Sequence, residues 1–100
     1  MTLTPIRHPL LSDVTHGFFT RKGGASSGIF EGLNCGLGSS DQADVVMINR
    51  SRVCETLGVD HLQTVHQHHS ADCVTVTNPI SPVPKADGMV TATPGIALGV

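Results

Sequence analysis

Hydrophobic and polar positions alternate in short bursts along this chain, and one stretch keeps a helical period. Ala43, Val46, Met47, Val53, Cys54 and Leu57 recur at three- and four-residue spacing and trace one apolar face. Ser39, Ser40 or Asp41 supplies an N-cap, Asp44 sits in the first turn, and Gly58 is a natural stop. The pattern therefore predicts a helix between them. Arg50 falls on the same face, between Val46 and Cys54. A cation facing a core needs a partner there, or it leans out of the core's edge into a site. Arg52 and Glu55 fall elsewhere and read as solvated. Cys54 reads as a small core residue.

The remaining pattern is extended. Met1 to Ser12 is an irregular lead-in broken by Pro5 and Pro9. Val14 to Thr20 predicts a strand, and Phe18-Phe19 make it a central one, because aromatic pairs bury a large area. Ile29 to Gly38 alternates apolar residues with glycine and small polar ones, as a strand or a close-packed irregular crossing. Asn78 to Pro84 carries three prolines and must be a loop. Asp87 to Thr91 resumes extended structure, Thr93-Pro94-Gly95 turns the chain, and Ile96 to Val100 begins an apolar strand. A sequence that stops inside a buried-type strand reads as part of a longer protein.

Between these elements lies the densest cluster of metal-type ligands, Thr64 to Val76, with His66, His68, His69, Asp72 and Cys73. The β-branched run Val74-Thr75-Val76 favours extended backbone. The stretch is read as a strand, or as two strand pieces around a bend at Ser70-Ala71-Asp72. On a strand, His66 and His68 share one face and His69 points to the other. His69 and Cys73 would then lie roughly 13 Å apart at about 3.3 Å per residue, too far for one metal ion. The cluster thus offers one or two ligands, or an acid/base imidazole, and spacing does not say which histidine carries the role.

Composition narrows the classes. One hundred residues bound the chain to a single domain with a modest core. A net charge of −2 argues against a broad basic face, and so against duplex nucleic acid or an anionic membrane surface as partner. Three cysteines without a C-x-x-C pair indicate neither a disulfide scaffold nor a zinc ribbon. With no secretory signal or transmembrane stretch, a reducing cytoplasm is the expected compartment.

One further stretch carries candidate chemistry. In Thr20-Arg21-Lys22-Gly23-Gly24-Ala25-Ser26-Ser27-Gly28, two cations precede a glycine- and serine-rich loop. Such a loop brings backbone N–H groups near an anion, with Arg21 as a bidentate clamp for phosphate or carboxylate. It is not a P-loop, since G-x-x-x-x-G-K-[ST] is absent. The plain alternative is a glycine hairpin with solvated cations. Asn34, between Leu33 and Cys35, either pins a turn or contacts a ligand.

Taken in order, Thr20 to Gly24, Ser27-Gly28, Leu33-Asn34-Cys35-Gly36, Asn49-Arg50, Gln67-His68-His69, Ala86-Asp87-Gly88 and Pro94 to Leu98 resemble the laccase-domain family. That family is also called the multicopper polyphenol oxidase or YfiH-like family, and the resemblance spans nearly the whole chain. It implies an α/β (α+β) sandwich, with a mixed β-sheet and flanking helices, of which these residues form an N-terminal part. It implies a zinc site of two histidines and one cysteine, and action on purine nucleosides by phosphorolysis and adenosine deamination. The family's first histidine ligand, in a Gln-Val-His pattern, maps to His69, with His68 in place of the valine. Its Thr-Ala-Asp-Cys and His-Ala-Gly-Trp segments have no match here. Ala71-Asp72-Cys73 sits in the wrong place, so Cys73 is not assigned as a ligand. The resemblance thus points to a longer chain with further ligands, or to a truncated, inactive relative. Arg21 is the candidate catalytic and substrate-binding cation, Asn34 a substrate contact or an orienter of the loop, and Arg50 a structural anchor or a residue backing those that touch the ligand. Purine nucleoside and phosphate are the implied partners. A copper-dependent phenol oxidase and a non-catalytic, partner-binding fragment are the alternatives.

Overall fold

A computed structural model describes residues 3–100, so Met1 and Thr2 of the expected lead-in lie outside the described residues. The chain divides into two compact units, Met1–Leu57 and Gly58–Val100. The α/β class read from the sequence holds: one α-helix accompanies two pairs of parallel strands.

The first unit is built on helix α1, Ala43–Leu57. Its start is fixed by carboxylates, which suit the positive end of a helix. The Asp41 side chain accepts the Gln42 N–H at 2.8 Å, and Asp44 accepts that of Val45 at 3.0 Å. Its end is fixed by Gly58, whose φ of +70° continues the chain in the left-handed region. The buried stripe is Val46, Asn49, Arg50 and Val53. Val46 and Val53 were expected there, whereas Met47 is half exposed. The centre of the stripe is therefore polar.

The rest of this unit is irregular. Pro9–Leu11 and Gly28–Phe30 are single 3-10 turns. The expected central strand at Val14–Thr20 is a correction: Phe18 forms only a one-residue antiparallel bridge with Ile6, and its side chain is 56% exposed. The pairing does not propagate past this bridge: at the next ladder position the His8 N–H goes to the His16 Nε2 at 2.9 Å instead of a carbonyl. Ile29 to Gly38 takes the irregular alternative, with Ser26 and Gly32 exchanging backbone bonds of 3.1 Å across a hairpin.

The second unit holds four short strands. β1 (His61–Thr64) pairs in parallel with β4 (Ile96–Gly99), His61 opposite Ile96. β2 (Cys73–Val76) pairs in parallel with β3 (Gly88–Thr91), Cys73 opposite Gly88. Val76 and Ala86 are fully buried. Gln63 is buried as well, and its amide ties β1 to the proline-rich loop: Oε1 accepts the Ile80 N–H at 2.7 Å and Nε2 donates to the Thr64 carbonyl at 2.8 Å. Among the described residues no helix is long and apolar enough to cross a membrane.

Two glycines test these turns in different ways. A Cβ at Gly58 meets nothing, so Gly58→Ala is penalised only by its left-handed backbone, about 1 kcal/mol. A Cβ at Gly24 would overlap the Gly32 carbonyl across the hairpin. Thermal unfolding should therefore show a clearly larger loss for Gly24→Ala than for Gly58→Ala. Equal losses would mean the hairpin is not closed as described.

Candidate functional site

In the first unit the glycine loop is held by a network centred on Asn49, which has no exposed surface. Its Oδ1 accepts the Ala25 N–H, and its Nδ2 donates to the Ser26 hydroxyl and the Asn34 carbonyl, each at 2.8 Å. Ser26 passes its own proton to Asp41 at 2.6 Å. Hydrogen bonds that end on a charge are the stronger kind. The Ser26 bond pulls the Asp41 pKa down; desolvation opposes it, and bonds from Asn34 and the Gln42 N–H add to the lowering.

Arg21 stands exposed on this loop. The sequence placed it at the rigid end of a strand; the structure places it at a bend that follows irregular backbone. Its rigidity comes instead from the hairpin, because a Cβ on Gly32 would press on the Arg21 backbone and Cβ. Arg52, expected to be solvated, donates from Nη1 to the Gly23 carbonyl at 2.7 Å and so steadies the same turn.

Asn34 takes the turn-pinning role. Its Nδ2 donates to Ser39 Oγ at 3.0 Å and to Asp41 Oδ2 at 3.2 Å, and its Oδ1 accepts the Gly36 N–H at 3.2 Å. Both amide protons are used, so a ligand contact must reach the remaining lone pair of the oxygen. Arg50 is buried, and its Nε donates to the Cys35 carbonyl at 2.8 Å, which makes it an anchor for the same crossing. Burial lowers the Arg50 pKa, with Cys35 and Cys54 opposing, and burial raises the Cys35 thiol.

In the second unit the histidine stretch takes the form of two strand pieces around a bend, but the histidines lie outside both strands. His66 sits in a one-residue bridge with Lys85, its N–H donated to the Pro84 carbonyl at 2.8 Å. His68 and His69 follow in a loop. The alternating-face argument therefore does not apply to them. A single carboxylate shapes this loop. Asp87 Oδ1 accepts the N–H groups of His68 (3.1 Å) and Ser70 (3.0 Å) and the Ser70 hydroxyl (2.8 Å). Its Oδ2 accepts the His69 N–H at 3.0 Å. Desolvation pushes the Asp87 pKa up, but these four bonds together outweigh it and hold the carboxyl at about 2.

His69 has a φ of +61°, the only non-glycine residue so placed among the described residues. That conformation costs on the order of 1 kcal/mol and persists only where neighbours impose it. Its ring is exposed and makes no hydrogen bond among the described residues, whereas His68 Nε2 lies 3.0 Å from Ser70 Oγ and 3.4 Å from Asp72. Cys73 is exposed at the start of β2. Among the described residues no three His, Cys, Asp or Glu side chains gather as a metal-holding group. The residues present thus fit one ligand of such a site, His69, and not a full set.

Two residues of consequence escaped the sequence reading. Asn49 had a usable signal, since it lies three after Val46 and four before Val53, inside the apolar stripe. Asp87 had only its place in Ala86-Asp87-Gly88, because its partners lie 17 to 19 residues away.

The profile of a family described as multi-copper polyphenol oxidoreductase laccase matches residues 15–100. The chain belongs to this family. A purine nucleoside phosphorylase of Streptomyces coelicolor is 41% identical over 88 residues, covering 84% of this chain and 36% of the relative. A purine nucleoside phosphorylase of Deinococcus radiodurans is 37% identical over 97 residues, covering 95% of this chain and 37% of the relative. One of Streptomyces griseus is 33% identical over 97 residues, covering 92% and 39%. This laccase-family chain therefore spans well under half the length of these relatives.

The Asn49 network generates two expectations. Asn49→Ala removes three hydrogen bonds, one of them to the buried Ser26 hydroxyl, and should lower stability by about 2–4 kcal/mol in denaturant unfolding. Asp41 has a depressed folded-state pKa, so its contribution is full above the ordinary value of 3.8 and is lost as pH falls through the lower folded value. Thermal midpoints measured downward from pH 5 should fall less steeply in Asp41→Asn than in the unaltered protein. Parallel curves would contradict the network.

Proposed function

We propose that this laccase-family chain is part of a zinc-dependent purine nucleoside enzyme. It would phosphorolyse adenosine, inosine or guanosine and deaminate adenosine. The observation that carries the reading is the set of three relatives named purine nucleoside phosphorylase, 33–41% identical across 84–95% of this chain. His69 supports it, as an exposed imidazole free of hydrogen bonds within the described residues and held on a backbone fixed at both neighbours.

Each residue then has a distinct task. His69 serves as one metal ligand, with its remaining companions outside the group of residues described. Zinc, when bound, supplies Lewis acidity to an oxygen at the reacting centre. Arg21 neutralises phosphate or holds the ribose, a role suited to an exposed guanidinium on a braced hairpin. In phosphorolysis an oxygen of hydrogen phosphate forms a bond to C1′ while the C1′–N bond breaks, and the proton that phosphate gives up leaves with the base on nitrogen. In deamination, water adds at C6 and ammonia departs. Asn34 offers its amide oxygen to a substrate donor while its protons keep the loop in place.

A second reading is a copper-dependent phenol oxidase, favoured by the wording of the family description. Several coppers require many imidazoles, and that reading ranks second because the relatives are named purine nucleoside phosphorylase. A third is a non-catalytic fragment that binds a partner chain, which sedimentation of the hundred residues alone would address. Metal analysis with oxygen uptake on a phenol separates the first two.

In the full-length protein, His69→Ala should reduce bound zinc and lower phosphate-dependent release of free base from inosine by on the order of 100-fold or more. Arg21→Ala should raise the KM for phosphate by roughly tenfold, the loss of about one charge-assisted bond. Unchanged zinc content and base release in His69→Ala would refute the ligand assignment. An unchanged phosphate KM would refute the role of Arg21.

A further inference from the structure

We infer that Asp87 is a positioning residue for His69, holding its backbone in the left-handed conformation that sets where the imidazole leaves the loop. This rests on the reading of His69 as a metal ligand. The geometry divides the work between the two carboxylate oxygens. Oδ1 takes the His68 and Ser70 N–H groups and the Ser70 hydroxyl, and Oδ2 takes the His69 N–H alone. Three consecutive N–H groups converging on one anion form a concave cradle, normally met as a binding site for a free anion. Here the anion is a side chain of the same chain, so the cradle is already filled and acts as a clamp.

The clamp is itself fixed. The Asp87 N–H and the Gly88 N–H both donate to the Asp72 carbonyl, at 3.0 and 3.1 Å, and Gly88 opens β3 opposite Cys73. On the other side the Ala86 N–H donates to the His66 carbonyl at 3.2 Å. The carboxylate is thus referenced to paired backbone on both sides of the loop. His69 has a positive φ without the glycine that such a position favours, and the three N–H groups bound to Asp87 are what hold it there.

The division of oxygens suggests a selective variant. In Asp87→Asn the amide oxygen can keep the Oδ1 bonds to His68 and Ser70, which sets the NH2 against the His69 N–H, donor facing donor. Residue 69 is then released while its neighbours stay pinned. Ser70→Ala is the control: it removes one bond to Oδ1 together with the hydroxyl's contacts to the Asp72 N–H and the His68 ring, and leaves the His69 N–H bond in place.

Zinc affinity measured by chelator competition on full-length protein should fall roughly 10- to 100-fold in Asp87→Asn and stay within about twofold in Ser70→Ala. Cobalt(II) substituted for zinc should show an altered visible spectrum in Asp87→Asn alone. A merely structural role would lower the thermal midpoint of the metal-free protein and leave the affinity and spectrum of the folded protein unmoved, which would overturn the inference. If zinc affinity is lost in His69→Ala but kept in Asp87→Asn, the ligand reading stands and the positioning role falls. If it is kept in His69→Ala, both fall. Should Asp87→Asn not fold, Asp87→Glu carries the test: it keeps the charge but shifts it by one methylene, and wild-type zinc affinity there overturns the inference.

Discussion

A buried primary amide with every polar atom in use is the constraint on which the first unit depends. Asn49 contributes nothing to hydrophobic burial, yet it occupies the position in α1 where an apolar residue would otherwise sit. A buried amide is tolerable only when fully bonded, because each unmet group retains its desolvation cost. The helix can therefore pack only when Ala25, Ser26 and Asn34 arrive in one arrangement. This turns an irregular, glycine-rich segment into a defined surface that presents Arg21. The loop's order is borrowed from the helix through these bonds.

The second unit solves a similar problem with a charge in place of an amide. A loop between β1 and β2 cannot satisfy its own N–H groups through a ladder, so Asp87 collects three of them. The two devices differ in their response to surroundings. The Asn49 network is neutral at its centre and passes to a charge only at Asp41. The Asp87 clamp depends on full ionisation, which its own bonds maintain.

Legibility in the sequence followed the range of the interaction. The α1 boundaries were readable because caps and periodicity act within a few residues. The position of β2 was readable from its β-branched run, and those of β3 and β4 from extended and apolar runs separated by the Thr93-Pro94-Gly95 turn. Phe18 misled, because two adjacent aromatics suggest a buried strand, while the facing segment's His8 N–H goes to the His16 ring instead of a ladder carbonyl. The histidine stretch was read either as one strand or as two pieces around a bend; the structure takes the second form, and the alternation along it failed because a carboxylate far along the chain reshapes the loop. His69 as ligand came from likeness to the laccase family. What makes that residue plausible physically, its left-handed backbone, has no local sequence signal.

The strand pairings are nested, and this bears on the order in which the second unit can assemble. β2 and β3 join residues fifteen apart, as in Cys73 with Gly88, while β1 and β4 join residues thirty-five apart, as in His61 with Ile96. Closing the wider span first costs about 0.8 kcal/mol more chain entropy than closing the narrower one. Once the inner pair has formed, the outer strands are tethered across a shortened effective loop. Assembly from the inside outward is thus the cheaper route. The histidine loop, which lies between the inner and outer pairs, acquires its shape only when the Asp87 end of the inner pair is in place.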